Sequence, residues 1–393
     1  MVRPLRRSIA YLTASRLVVN TAFRFVFPFL PAIARGLGVS LERAGLLLSA
    51  RSLSGIATPL VVATVGRGER RVRLAGWSLG LFAAGAAVTA ATGVYGGAVA
   101  GFVLIGLGKP GFDAAAQAYV ADRTPYERRA RYLSVLELTW ATALLAGAPA
   151  AGWLISRFGW RAPFWWIAAL VAAAALASPL LLDRDRPHAA PSASRTRLGR
   201  PALRLLGVVA LFSLSAETTF IVFGAWLEDR FALSLTALGV TSLIVGLAEL
   251  SGEASVLAFG DRFGKRRMVA AGLCGSAIGY LVLGAVGGSL APGVAALSLT
   301  FVAFEVTIVS AIPLATEIVP GARTRYLALL MVAISIGRAA GDAIGPALFR
   351  WHGLAANTTM SAVVTAMALF GLLRWTDPEE RVTSPVITPR RVG

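Results

Sequence analysis

The chain has 393 residues, 56% of them hydrophobic and 15% charged, with 41 glycines besides, whereas soluble domains are about 45–50% apolar with glycine included. A mean hydropathy of +0.70 excludes a string of soluble domains. The formal charge of +18, from 38 basic and 20 acidic side chains, would suggest nucleic acid in a soluble chain, so where those charges fall is decisive.

In chain order the sequence predicts twelve apolar stretches, each near the ~20 residues that cross a bilayer as a helix: 8–34, 43–66, 74–95, 97–121, 131–156, 162–182, 203–227, 234–259, 268–289, 293–318, 325–350 and 353–373. The runs are continuous and rich in Ala, Leu and Gly, where barrel strands would alternate over about ten residues. An all-α polytopic membrane protein is therefore expected. The first stretch follows Arg3, Arg6 and Arg7 as a signal peptide would, but it is longer than a signal core and no A-x-A-like site follows, so it reads as an uncleaved first helix.

The loops alternate in charge. Those on the N-terminal side, with both tails, hold 27 Lys and Arg, and the opposite loops hold six: Arg35, Arg43, Arg157, Arg161, Arg230 and Arg350. That asymmetry predicts an inner (cytoplasmic) membrane protein with both termini in the cytoplasm. Spread over short loops, the basic charge forms no groove-sized face, and no nucleic-acid partner is expected. Cys274 has no second cysteine, and His188 and His352 lie 164 residues apart, so neither a disulfide nor a metal site is expected. Gly106-Leu107-Gly108-Lys109-Pro110-Gly111 satisfies G-x-G-x-x-G but sits inside an apolar helix with no strand before it. Neither a nucleotide cofactor nor an enzymatic activity is expected, and without a P-loop any transport would run on gradients.

A polar break rich in Pro, Ser and Arg at 183–202 divides the stretches six and six, giving halves at 1–182 and 203–375 and a tail at 376–393. The halves repeat at an offset of 193–196: Arg129-Ala130-Arg131-Tyr132-Leu133 recurs as Arg323-Thr324-Arg325-Tyr326-Leu327, and Arg70-Arg71 with Gly76 as Arg266-Arg267 with Gly272. A repeat of this kind is a transporter architecture with its site at the midplane interface.

The loop Gly260-Asp261-Arg262-Phe263-Gly264-Lys265-Arg266-Arg267 looks like G-x-x-x-D-R-x-G-R-K-x, with a degenerate counterpart at Gly66-Arg67-Gly68-Glu69-Arg70-Arg71 that lacks the aspartate. Gly147-Ala148-Pro149-Ala150-Ala151-Gly152 is similar to a G-P-x-x-G core, departing from it at Leu144, Ala148 and Trp153, and Gly341, Gly345 and Pro346 form G-x-x-x-G-P. On these motifs the chain resembles the major facilitator superfamily (MFS) over nearly its whole length. Phe102 stands where that family carries an arginine in its fourth helix, and Lys109 follows it. The resemblance implies a monomer of two pseudo-symmetric six-helix bundles working as a secondary transporter. A drug/proton antiporter is the suggested subfamily, with Asp261, Arg262, Gly264 and Arg266 as its cytoplasmic gate.

Ionisable groups at bilayer depth are functional candidates by default. Here they are Arg16, Arg24, Arg51, Lys109, Asp113 and Glu137 in the first half, then Glu217, Glu249, Glu253, Glu305, Arg338 and Asp342 in the second. Arg16, Asn20 and Arg24 share a helix face, and Lys109/Asp113, Glu249/Glu253 and Arg338/Asp342 are i, i+4 pairs. Mutual neutralisation would account for Arg16 with Asp113 and Glu137 and for Arg338 with Asp342, but it fails on counting in the second half, where five acids face one arginine. Glu217, Glu249 and Glu305 are the leading proton-coupling candidates, with Glu253, Asp113 and Glu137 behind them. The substrate-binding candidates are Arg24, Arg51, Lys109, Asn20, Arg338 and Asp342, with Phe27, Phe220 and Trp226 as an apolar wall.

The function expected is proton-coupled efflux of a lipophilic drug or metabolite, the partners being a small-molecule substrate, protons and membrane lipids. The alternative is proton-coupled uptake or flipping of an anionic or zwitterionic solute or lipid-like molecule, using Arg24, Arg51 and Lys109. A non-transporting receptor or scaffold is disfavoured, because the soluble segments are too short to form a signalling domain.

Overall fold

The computed structural model describes residues 2–58, 71–183, 198–319 and 322–374. The degenerate loop at Gly66–Arg70, most of the expected linker, His188 and the tail 376–393 lie outside the described residues. Within them every regular element is helical: α1 Val2–Arg24, α2 Val26–Leu37, α3 Leu41–Ser54, α4 Arg71–Thr92, α5 Tyr95–Arg123, α6 Tyr126–Glu137, α7 Thr139–Thr142, a π turn Ala143–Gly147, α8 Ala148–Phe158, α9 Ala162–Leu181, α10 Arg200–Phe220, α11 Phe223–Phe231, α12 Leu235–Phe263, α13 Lys265–Val286, α14 Leu290–Ile318 and α15 Arg323–Leu373.

Among the described residues nine helical stretches are long and apolar enough to cross a membrane, and the bent pair α1–α2 makes ten. The 51-residue α15 is two helices joined at Gly353, whose φ of 65° and ψ of −165° suit glycine alone. After α3 a turn at Gly55–Ile56 leads into helical residues at 57–58, where the described segment ends. Read with these two, the helices agree with the twelve expected crossings.

Among the described residues three crossings break for a definable reason. The first bends by 56° between α1 and α2. Pro28 has no N–H for the carbonyl of Arg24 four residues earlier, and its ring crowds that carbonyl, so the chain turns where Arg24 sits. In the fifth, Pro149 likewise withholds a donor from Leu145, and the helix widens into the π turn just before it, a defect often found at functional sites. The seventh breaks at Ile221–Val222 without a proline. The Asn357 amide donates to Thr218 O (2.7 Å) and Gly345 O (2.8 Å), and the Val222 N–H turns to Thr219 O (3.3 Å) in place of Thr218 O.

Helices α1–α9 pack mainly on one another, as do α10–α15. Each group has its own aromatic core, Phe25, Phe102 and Phe164 in the first and Phe212, Phe220, Phe301 and Phe304 in the second. Between the groups α3 lies on α15, α8 on α12, and α2 on α11 and α12. A Cβ at Gly45 of α3 would stand 2.6 Å from Asp342 O and 2.7 Å from Pro346 Cγ, so the two backbones touch there. Arg35–Glu228 and Arg350–Glu42 (2.7 Å each) join the groups at the end away from the chain's start, and Ser49 Oγ donates to Ala339 O (2.8 Å) nearer mid-depth.

Candidate functional site

The bend at Phe25 carries Arg24 into the seam between the two helix groups. There Nη1 and Nη2 of Arg24 each donate to an oxygen of Glu249 on α12 (2.5 Å both), and Nη1 also donates to Trp140 O (3.0 Å). Neither side chain of the pair has appreciable contact with solvent. A buried fork-to-fork pair of this kind is strong and geometrically selective, and it ties the first group to the second at mid-depth.

The same guanidinium lies 4.5 Å from the Trp140 ring centroid, and Lys109 Nζ and Arg338 Cζ each lie 5.5 Å from it. One indole is thus ringed by cations from α1, α5 and α15. Lys109 is held by Asp113 (2.5 Å) as the i, i+4 spacing predicts. Asp113 also takes Arg16 (3.1 Å), which makes two bonds to Glu137 (2.9 and 3.1 Å), and Gln117 donates to Glu137 as well (3.0 Å). The Glu137 side chain is 52% exposed, so this second cluster opens to water on the side where the chain starts.

Toward the opposite end the polar groups are dry and incompletely matched. Arg51 is 1% exposed. It donates once, to Phe23 O (2.7 Å), and lies over the Phe23 ring at 3.6 Å, leaving Nε and Nη2 without partners. Asp342 accepts from Ser52 (3.0 Å) across the seam. Oδ1 of Asp342, Oε1 of Glu217 and Oε1 of Glu305 are buried and unpaired. Unmatched buried polar atoms are costly.

The structure therefore brings together Arg16, Asn20, Arg24, Arg51, Lys109, Asp113, Glu137, Glu217, Glu249, Arg338 and Asp342, with Glu305 packed beside Gly252 near Glu249. Several expectations are revised. Arg338 and Asp342 do not pair: Arg338 Nε lies 3.6 Å from Glu217 and Asp342 turns to Ser52. Phe220 stacks on Phe301 at 3.8 Å, and Trp226 donates to Gly287 O (3.0 Å), so both make their contacts within their own group. Phe27 is buried near Arg51, 5.6 Å away. Asn20 donates to Thr139 (2.9 Å) beneath Trp140. At the expected gate, Gly264 has a φ of 82°, Arg266 reaches Leu372 O (3.4 Å), Arg262 lies by Phe263, and Asp261 is exposed. Among the described residues no group of three or more His, Cys, Asp or Glu is arranged to hold a metal ion.

Trp140 is the residue that sequence reasoning missed. Its one signal is position: it lies three residues after Glu137 and next to Thr139, on a helix already carrying a candidate charge.

The chain is 33% identical over 234 residues to a chloramphenicol resistance protein of Streptomyces lividans, covering 58% of this chain and 57% of that one. It is 29% identical over 182 residues to the class C tetracycline resistance protein of Escherichia coli, covering 43% and 46%. The chain thus spans about half the length of the curated relatives it matches. In fold it is similar to a bacterial homolog of the human lysosomal transporter Spinster (TM-score 0.70, 15% identity, 95% of each chain). The human organic anion transporter TETRAN is a second such structure (TM-score 0.68, 21% identity, 94% of this chain and 99% of that one). The family model of the Major Facilitator Superfamily matches residues 12–252 and 205–391. With the match extending through both helix groups, this multi-pass membrane protein belongs to the Major Facilitator Superfamily.

Proposed function

We propose that the chain is a proton-coupled exporter of a lipophilic small molecule. Its halves, 1–182 and 203–375, rock about the seam in an inner membrane with both termini in the cytoplasm. The observation that carries this reading is the buried Arg24–Glu249 pair, which joins the halves at mid-depth. Charged and paired, it holds the far side shut. A proton on Glu249 removes one charge of the pair, and a substrate group that takes Arg24 removes the other. Either event releases the lock, whereas the empty carrier stays locked, and that is the rule an antiporter must obey to avoid leaking its gradient. The shift is driven by differential affinity of proton or substrate for the two arrangements. The chloramphenicol and tetracycline resistance proteins among the relatives support a drug-like cargo.

The test is flux in proteoliposomes with an acidic lumen, using labelled chloramphenicol and tetracycline. Wild type should concentrate at least one of them in the lumen as protons leave. Glu249→Gln should lose concentrative uptake while keeping downhill flux, since a neutral side chain opens the lock without a proton. Glu217→Gln and Glu305→Gln belong beside it. Full gradient-driven uptake in Glu249→Gln would remove Glu249 as the carrier, and full uptake in all three would end the assignment of proton coupling to this cluster.

A further inference from the structure

Of the three cations around Trp140, two are already engaged. Arg24 makes two bonds to Glu249 and one to a carbonyl, and Lys109 is held by Asp113 at 2.5 Å. Arg338 differs: its nearest carboxylate oxygen, on Glu217, is 3.6 Å away, beyond hydrogen-bond length. No hydrogen bond from its guanidinium is formed among the described residues, and its side chain keeps 20% exposure. Trp140 too is only half-buried. A guanidinium offers five donors in a planar fork that matches a carboxylate, and the indole beside it supplies a flat apolar plate.

We propose that Arg338 and Trp140 form the recognition subsite of this transporter, and that it takes an amphiphile bearing a carboxylate, phenolate or enolate on an aromatic or otherwise apolar body while excluding lipophilic cations. The inference rests on the export reading and narrows its substrate class. The acid binds as a fork on Arg338 and its body lies along Trp140, while Arg24 and Lys109 stay with Glu249 and Asp113, which leaves the subsite no free carboxylate from those two pairs to hold a cation. Arg51, an obvious anion ligand by sequence, is enclosed at the shut end between Phe23 and Phe27 and takes no part in this arrangement. Opposing the inference are Glu253 and Glu305, which have no cation within ion-pair distance among the described residues. If these acids govern recognition, the preference reverses toward cations.

The experiment uses the full chain in lipid nanodiscs and three fluorescent probes of one skeleton: pyrenebutyrate, pyrenebutyramide and pyrenebutyl-trimethylammonium. Saturable binding should favour the carboxylate over the amide by about tenfold, as a charge-assisted fork implies, with the ammonium weakest. Arg338→Gln should bring the carboxylate to the level of the amide and leave the amide unchanged, Arg338→Lys should restore part of the difference, and Trp140→Leu should weaken carboxylate and amide alike. The proposal is overturned if the ammonium binds as well as the carboxylate, if none of the three binds saturably, or if Arg338→Gln weakens all three equally. The wild-type ranking tests it even where a variant fails to fold. Flux of the same probes separates the two readings. Selective binding without gradient-driven movement sinks export and keeps the subsite, and equal movement of all three keeps export and sinks the subsite.

Discussion

The first and seventh crossings occupy equivalent places in the two halves, and both break near their middles, at Phe25 and at Ile221, 196 residues apart. The causes are different. In the first, Pro28 withholds a backbone donor from Arg24; in the seventh, a side-chain amide from Asn357 in the last crossing captures the carbonyl of Thr218. The consequences differ too. The proline bend delivers a charged residue to the seam, where it meets Glu249, whereas the amide break leaves Phe220 stacked on Phe301 inside its own bundle. A shared backbone shape thus carries an ion pair across the seam in one half and stacks an aromatic inside its own bundle in the other, and what separates them is the residue at the bend.

The largest effect on this comparison should come from Asn357→Leu. It strips two buried carbonyls, on Thr218 and Gly345, of their donor, and an unsatisfied buried group costs about 1–3 kcal/mol. With the seventh crossing straightening as Val222 recovers Thr218 O, only Gly345 O is left without a donor, and a loss of about 1–3 kcal/mol is expected, read as a fall in the thermal unfolding temperature of the purified protein. An unchanged unfolding temperature would mean that the break has another cause. Next in size is Gly45→Val. Its Cβ would fall 2.6 Å from Asp342 O, where neither backbone can yield without the groups parting. The shut end should open to thiol reagents aimed at a cysteine placed near Glu228 in a Cys274→Ser background, and unchanged protection there would show that the close approach is not needed for closure.

The helices and the site are unequally legible in the sequence. The twelve crossings are legible because a bilayer forces some twenty apolar residues into each, and the proline bend is legible because Pro28 acts on its own helix. The amide break is not, since Asn357 lies 139 residues from the carbonyl it takes and nothing local marks it. The same division holds among the charges. Every ionisable member of the cluster stands out in an apolar helix, and Lys109 with Asp113 pairs as its spacing predicts. Arg24 with Glu249, Ser52 with Asp342, and Arg338 near Glu217 are set by how helices from distant parts of the chain rotate and cross. Helical spacing brought Arg338 and Asp342 onto one face, but Ser52 reaches Asp342 first from the other half. Trp140 carries no charge to flag it, and only the three cations gathered around its ring reveal its place.

Pro28→Ala should have the smallest effect on stability and the most specific effect on the site. Restoring an N–H at position 28 lets Arg24 O regain its helical partner, a gain of about 1 kcal/mol. The straighter helix then turns Arg24 away from Glu249. Left without Arg24, the buried Glu249 takes a proton, which avoids the ~3–5 kcal/mol cost of an uncompensated buried charge, so the net change in folding stability should stay within about 1 kcal/mol. The functional readouts should move much further: a smaller bend between α1 and α2, measured by the distance between spin labels on the two, and downhill flux that no longer depends on the pH gradient. The Glu249→Gln variant should leak in the same way while keeping its bend. If Pro28→Ala retains the 56° angle, then packing of Phe25 and Phe29 holds the helix in that shape without the proline, and the first crossing is no more locally determined than the seventh.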